Sequence, residues 1–404
     1  MRVLIKKSRA HGTLRAPSSK SQLHRLLICA ALSEGASLIK CRTVSDDILA
    51  TVDCLTALGA TISRTTDGFH VIGTDMRHSA PRTTLNARES GSTLRFLIPI
   101  AALSGAKTLF AGSPKLMQRP LSVYEDIFRK NELMLMPSGE RFLWVDGPLK
   151  AGDFSLDGSV SSQFISGLLL ALPLLDGDSV INIKPPFESR PYVNMTLDTM
   201  RCFGVEASFS DEYTLNIKGN QAYKCGQFSA EGDWSSAAFI HALNYLDGSV
   251  ELEDLSEDSL QADKVCIELF DALKNGAPII DISDCPDLAP ILFSLAAHFN
   301  GAEFTGTARL RFKESSRAEA MAEELLKLGA DIQISENSVT VKKSELHAPT
   351  PRILSHNDHR VAMALAVLLT AFGGEIDGAE SVNKSYPEFF EDLIKLGIDL
   401  EIIN

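Results

Sequence analysis

The sequence predicts an α/β chain built from six copies of one strand–helix unit, divided into two domains of three units each. Three observations carry that prediction. Six stretches share a polar start, about three turns of apolar or small residues, a glycine and a short β-like run. A second, amphipathic helical pattern, again followed by glycine and a β-like run, lies between the copies. The length of 404 residues exceeds one ordinary core.

Along the chain, "MRVLIKK" reads as a strand that runs straight into the fold, with no signal or transit peptide expected. The six copies follow in order: "SKSQLHRLLICAALSEGASLI", "SGSTLRFLIPIAALSGAKTLF", "SSQFISGLLLALPLLDGDSVINI", "DWSSAAFIHALNYLDGSVEL", "DCPDLAPILFSLAAHFNGAEF" and "HNDHRVAMALAVLLTAFGGEI". In each, Ser, Asp or Asn caps a helix whose apolar residues keep to no single stripe, so the helix is buried nearly all round. Glycine is expected to end it at the usual C-terminal position. "DDILATVDCLTALGATI", "PYVNMTLDTMRCFGVEASF", "RAEAMAEELLKLGADIQI" and "YPEFFEDLIKLGIDLEII" give the amphipathic type. One unit is then strand, buried helix, strand, amphipathic helix and strands, roughly 55–75 residues.

Composition narrows the function classes. Hydrophobic residues make up 45% and charged residues 23%, as in a globular protein, and the net charge of −13 argues against a nucleic-acid or membrane-surface binder. A local basic site within an acidic chain would suit a small anionic substrate. Apolar runs such as "FISGLLLALPLL" are too short to span a bilayer. The seven cysteines lack C-x-x-C spacing and His partners at metal-ligand spacing, which reads as reduced thiols in a cytosolic protein with no metal site.

The polar starts collect unusual residues. The first carries Lys20, Ser21 and Arg25, the second Ser90, Gly91, Ser92, Thr93 and Arg95, and the third Ser161, Ser162 and Gln163. The fifth has Asp284 and Asp287, and the sixth Asn357, Asp358, His359 and Arg360. Helix N-termini offer free N–H groups and partial positive charge, so converging starts form an anion site. A Ser or Asp at such a position also serves as an ordinary cap, which is the plainer reading of Ser90, Ser92 and Asp284. Arg25, Arg95 and Arg360 are different, because a cation near a helix start opposes the dipole and needs an anion from protein or ligand. Arg119, Ser189, Tyr192, Lys313, Glu314, Arg317 and Lys384 stand at the entries of other helical patterns. Arg and Lys would clamp phosphate and carboxylate groups, and the isolated carboxylates Asp287 and Glu314 would move protons. No Ser/His/Asp order, Walker motif or Rossmann fingerprint competes.

Taken in order, the Lys-Ser-x-x-x-Arg start, "SGSTLR", "QRP", "DGSVSSQF", "SRPY", "EGDWSSA", "PDLA", "RFKESSR", "NDHRVAMALA" and "NKSYPEFF" resemble the 5-enolpyruvylshikimate-3-phosphate synthase family of enolpyruvyl transferases, over about residues 10–395. The resemblance implies the two-domain enolpyruvyl-transferase fold, an inside-out α/β barrel of six βαβαββ-like repeats with buried helices. One domain would be 18–230, the other 1–17 with 231–404, and the active site would lie in the cleft between them. The implied reaction moves the enolpyruvyl group of phosphoenolpyruvate to the 5-hydroxyl of shikimate 3-phosphate and releases phosphate, through a tetrahedral adduct and without metal or organic cofactor. It places the chain in the shikimate pathway, as a cytoplasmic monomer acting on small molecules, with no nucleic-acid or membrane partner.

Carried over by motif, Lys20 would touch both substrates, and Ser21 and Arg25 would hold the shikimate carboxylate. Ser161, Ser162, Ser189 and Lys313, with Tyr192 and Gln163 beside them, would grip shikimate 3-phosphate. Arg119, Gln163, Arg317, Arg360 and Lys384 would bind phosphoenolpyruvate, and Gly91 would leave room for it. Asp287 would accept the 5-hydroxyl proton while also contacting shikimate 3-phosphate. Glu314, with Lys20 and Lys384, would serve the enol methylene. Three positions depart from the family pattern: Ser18 stands where glycine is usual, Glu89 opens the stretch often written Asn-Ala-Gly-Thr, and Arg309 replaces an Asn. Two alternatives share the fold. The UDP-N-acetylglucosamine enolpyruvyl transferases carry Lys-Asn at Lys20-Ser21 and a reactive Cys in the loop matching 112–119, where "GSPKLMQR" has none. A non-catalytic anion-binding relative would have no need of both Asp287 and Glu314.

Overall fold

The computed structural model describes residues 1–79 and 83–403. Strands β1 (Arg2–Ile5) and β2 (His11–Arg15) open the chain. The first repeat then runs α1 (Lys20–Leu32), β3 (Gly35–Lys40), α2 (Asp46–Ala57), β4 (Thr61–Thr65) and β5 (Gly68–Gly73). The second is β6 (Leu85–Asn86), α3 (Gly91–Ala101), β7 (Thr108–Ala111), the single turn α4 (Pro114–Met117), α5 (Ser122–Lys130), β8 (Met134–Ser138) and β9 (Phe142–Asp146). The third is β10 (Asp153–Asp157), α6 (Ser162–Ala171), β11 (Ser179–Lys184), α7 (Arg190–Cys202), β12 (Ala207–Phe209) and β13 (Thr214–Ile217).

After β14 (Gln227–Ser229) the fourth repeat has only α8 (Trp234–Leu243), β15 (Ser249–Glu253) and α9 (Cys266–Asn275). The fifth is β16 (Ile279–Asp281), α10 (Ala289–His298), β17 (Gly301–Thr305), α11 (Arg317–Leu326), β18 (Asp331–Ile334) and β19 (Ser338–Lys342). The sixth is β20 (Ile353–Leu354), α12 (His359–Phe372), β21 (Gly374–Asp377), α13 (Phe389–Lys395) and β22 (Leu400–Ile403).

Five sheets among the described residues repeat one topology: β14-β3-β5-β4, β6-β7-β9-β8, β10-β11-β13-β12, β16-β17-β19-β18 and β20-β21-β1-β22. In each, the first pair is parallel and the next two are antiparallel. The sixth sheet, β15-β2, keeps only the parallel pair. Here the expected repeat is incomplete, because residues 276–278 alone separate α9 from β16 and no hairpin fits in that length. Two repeats also exchange their first strands. β2 leads in sequence into α1 but pairs with β15, whereas β14 leads into α8 but pairs with β3. β1 completes the sixth repeat, seated between β21 and β22.

The chain forms two compact units, Met1–Ser19 with Glu231–Asn404, and Lys20–Ala230. Each has its own core, supplied mainly by helices buried on every side: Leu23–Leu32 of α1 and His359–Thr370 of α12 are buried without interruption.

Helices α2, α5, α7, α11 and α13 end alike, whereas α9 stops at Gly276 in extended backbone. The N–H two residues past the last helical turn returns to a carbonyl five residues back, in Ala60→Leu55, Leu133→Phe128, Val205→Met200, Ala330→Leu325 and Ile398→Leu393 (2.8–3.1 Å). The left-handed residue this motif requires is glycine at 59, 204, 329 and 397, but Glu132 after α5. For the buried helices the expectation of a closing glycine holds only at α12, where Gly373 is the cap. The others end earlier, and the left-handed residue sits beyond, where the chain reverses into a strand: Gly35, Gly105, Gly177, Gly301, and Asp247 after α8. A buried helix must turn back onto its own sheet, so the strained residue marks the reversal and not the last helical carbonyl.

Candidate active site

In the continuous unit, Lys20 begins α1 and its Nζ donates to Asp47 Oδ2 at 2.9 Å, with both side chains largely buried. Asp47 lies in the first turn of α2, where a carboxylate suits the dipole. Arg25, one turn beyond Ser21, is buried. Its guanidinium donates to the Ser21 carbonyl (2.6 Å), Thr196 Oγ1 (2.7 Å), the Tyr192 carbonyl (3.0 Å) and Ser166 Oγ (3.4 Å), and stacks over Phe96. Among the described residues these partners are all neutral oxygens, and burial pulls the Arg25 pKa down to about 10. The cation is solvated by dipoles but its charge is not cancelled, which favours an incoming anion.

Ser90 caps α3 by accepting from the Thr93 N–H. Its hydroxyl ends a buried chain of close contacts, His24–Thr51–Thr93–Ser90, that ties α1, α2 and α3 together (2.7–2.8 Å). Desolvation holds His24 well below the usual histidine range, so it is neutral. Gln163 Oε1 accepts from Arg95 Nη1 (2.7 Å), and Gln163 Nε2 donates to Ser92 Oγ (2.9 Å). A Cβ on Gly91 would lie 3.0 Å from Arg119 Nη1 and 3.7 Å from both Arg95 Nη1 and Gln163 Oε1, so a side chain there would press on these groups. The Arg95 turn has its own support. Pro99 has no N–H for the Arg95 carbonyl four residues back, and the Tyr124 hydroxyl donates to it instead at 2.7 Å. Ser161 caps α6 through the Gln163 N–H, with Ser162 following it. Ser189 precedes α7 in a left-handed conformation (φ 57°, ψ 36°), an uncommon geometry for a residue with a side chain.

In the discontinuous unit a single buried guanidinium organises the site. Arg317 donates to Asp287 Oδ1 (2.7 Å), Glu314 Oε2 (2.6 Å) and Asp358 Oδ2 (3.0 Å). Burial alone would lower its pKa, but Asp358, Glu314 and Asp287 together raise it. Asp287 also meets Lys313 Nζ (3.2 Å) and Arg360 Nη2 (3.0 Å). Burial works to raise the Asp287 pKa, yet Arg360, Lys313 and Arg317 hold it well below the usual carboxylate range. Asp358, fully buried, caps α12 through the Arg360 N–H and accepts from Ser315. Lys384 Nζ donates to the Asn357 carbonyl at 2.6 Å.

This arrangement is a set of fixed cations, two of them on helix starts, around three carboxylates, of which Asp287 is held ionised. Comparison with known proteins gives it a family. A model of the EPSP synthase (3-phosphoshikimate 1-carboxyvinyltransferase) family matches residues 4–393. The chain belongs to that family. A 3-phosphoshikimate 1-carboxyvinyltransferase of Clostridium kluyveri is 40% identical over 420 residues, covering 99% of this chain and 98% of the relative. Its counterpart in Clostridium acetobutylicum is 41% identical over 410 residues, covering 96% of each. A solved EPSP synthase from Acinetobacter baumannii has the same fold, with a TM-score of 0.80 at 23% identity and full coverage of both chains.

Of the EPSP synthase residues singled out from the sequence, Lys20, Ser21, Arg25, Gly91, Arg119, Ser161, Ser162, Gln163, Ser189 and Tyr192 lie in the continuous unit; Asp287, Lys313, Glu314, Arg317, Arg360 and Lys384 lie in the other. Direct contacts join Arg25 to Ser21 and Tyr192, and Asp287 to Lys313, Arg317 and Arg360. Sequence reasoning missed Asp47, which it took as part of an amphipathic face, and Thr196 and Ser166, whose hydroxyls carried no signal in their helical patterns. Of the three departures, Ser18 needs no left-handed backbone and bridges to Gly232. The close approach is made on the Gly232 side, where an added Cβ would meet the Asp254 carbonyl at 2.3 Å. Arg309 Nη2 donates to the Ser283 carbonyl at 2.5 Å, and Glu89 is half-buried beside the α3 cap. All seven cysteines, each within the described residues, are free, and among those residues no helix is long and apolar enough to cross a membrane.

Proposed function

We propose that the chain transfers the enolpyruvyl group of phosphoenolpyruvate to the 5-hydroxyl of shikimate 3-phosphate and releases phosphate. The observation that carries this reading is the Arg317 cluster, in which Asp287 is held ionised by three cations of the kind that would bind the two anionic substrates. Arg317, Arg360, Lys384 and Arg119 would take phosphoenolpyruvate, with Gln163 beside them and Gly91 leaving space. Ser161, Ser162, Ser189, Gln163, Tyr192, Lys313, Ser21 and Arg25 would take shikimate 3-phosphate, and Lys20 would meet both. The proposed roles thus fall on residues of both units.

The electrostatics suit the steps. Asp287 in the free protein is a weak base because its cations stabilise the carboxylate. When substrate phosphate and carboxylate groups take up those cations, their hold on Asp287 falls and its basicity rises as the 5-hydroxyl arrives. The 5-oxygen then bonds to C2 of the enol phosphate, its proton passing to Asp287. The methylene carbon gains a proton, a step we assign to Glu314 with the assistance of Lys20 and Lys384. Loss of a methyl proton and cleavage of the C2–O bond to phosphate restore the double bond. Cations already in place stabilise the departing phosphate.

We further propose a cytoplasmic monomer that needs no metal or organic cofactor. Purified protein given shikimate 3-phosphate and phosphoenolpyruvate is expected to release inorganic phosphate. Release only with UDP-N-acetylglucosamine would overturn the assignment, and binding without turnover would mark an anion-binding relative.

A further inference from the structure

We infer that Glu324 is a positioning residue for the phosphoenolpyruvate-binding side chains at the start of α12, acting through His356. Glu324 sits two turns beyond Arg317 on α11 and is fully buried. Its carboxylate accepts from His356 Nε2 (2.7 Å), the Leu354 N–H (2.9 Å) and Lys327 Nζ (2.8 Å). Burial works to raise its pKa, but the His356, Lys327 and Leu354 hydrogen bonds keep it lowered and ionised. α11 therefore grips the segment entering α12 at two points, Arg317 on Asp358 and Glu324 on residues 354 and 356.

Between those points lies unusual backbone. His356 and Asn357 are both left-handed, at φ 52° and 54°, although neither is glycine. Such backbone persists only where the surroundings impose it. The turn they make aims the Asn357 carbonyl at Lys384 and sets the cap from which Arg360 springs. Glu323, Glu324 and His356 also have the spacing of a metal site. Glu324 is unsuited to that use, since its two oxygens already accept from an ammonium, an imidazole and an amide.

The inference rests on the proposed assignment of Arg317, Arg360 and Lys384 to phosphoenolpyruvate. Steady-state kinetics of the full chain with both substrates test it. Glu324→Gln and the gentler His356→Asn, which keeps a residue tolerant of the left-handed turn, should each raise KM for phosphoenolpyruvate about tenfold. Neither should change kcat by more than about threefold. Glu323→Gln, at an exposed carboxylate 4.0 Å from His356, should leave KM unchanged. A purely structural role would reduce the active fraction, and so apparent kcat, without moving KM. Unchanged KM in His356→Asn, with KM raised in Lys384→Ala, would overturn the inference alone. A wild-type protein that releases no phosphate would overturn the assignment and the inference with it.

Discussion

Asp287 and Arg25 show how two largely buried charges in one protein are held in different ways. Asp287 is ionised because three cations outweigh its burial, and the proposed role as proton acceptor requires substrate to loosen their hold. Asp287→Ala is therefore expected to bind shikimate 3-phosphate but lose turnover by orders of magnitude, whereas Arg25→Ala should mainly raise KM. Titration calorimetry beside initial rates separates the two, and equal effects on both parameters in both variants would refute the division. Asp263 is the opposite case. Burial, then repulsion from Asp287, pushes its pKa up to about 6, despite the attraction of Arg360 and a hydrogen bond from Ser235. Because the folded state raises this pKa, the protonated form is favoured. Its stabilisation is complete below the ordinary carboxylate value and is lost as pH rises through about 6. Asp263→Asn, which retains an acceptor for Ser235, should raise Tm by several degrees at pH 8 and by little at pH 4. Thermal melts across that range check the sign.

At the scale of elements, what positions the site is the way helices end and approach one another. Gly167 lets α6 meet α3, since a Cβ there would lie 2.3 Å from the Tyr124 hydroxyl and 2.6 Å from the Arg95 carbonyl. Tyr124→Phe would leave that carbonyl, which Pro99 cannot serve, buried without its donor, at a cost of about 1–3 kcal/mol in denaturant unfolding. The amphipathic helices allow a converse test. Glu132 holds the left-handed position that glycine fills after α2, α7, α11 and α13. Left-handed backbone costs an L-residue about 1–2 kcal/mol, and the added flexibility of glycine takes back about 0.5–1. Glu132→Gly should then stabilise the protein by about 0.5–1 kcal/mol, and a loss of stability would show that its side chain matters more than its backbone. The fourth repeat was read as complete from its helix starts. Those starts are local signals, whereas a hairpin is absent simply because three residues cannot form one.

At the scale of the molecule, the two units differ in how they are made. Lys20–Ala230 is one continuous piece with a closed set of sheets and its own core. The other unit needs the N-terminus, because β1 lies between β21 and β22 and β2 pairs with β15. Residues 20–230 expressed alone should unfold cooperatively. Residues 231–404 alone should not, and adding residues 1–19 as a peptide should restore structure. Circular dichroism melts of the three samples decide this, and a cooperative transition in 231–404 by itself would contradict the pairing.

The sequence by itself determined the six buried helices, four of the amphipathic ones and the residues that carry charge to the helix starts, but it overstated the fourth repeat. These are written in local terms: apolar periodicity, capping residues, glycine and the placement of Arg and Lys. The tertiary structure alone decided which strands pair across the exchange of β2 and β14, that Lys20 meets Asp47, and that Arg317 holds three carboxylates. It also decided that Glu324 reaches back to residues 354–356. The physical reason is common to all four. Pairing between residues far apart in the chain is set by burial and charge compensation in three dimensions, and leaves no periodic trace along the sequence.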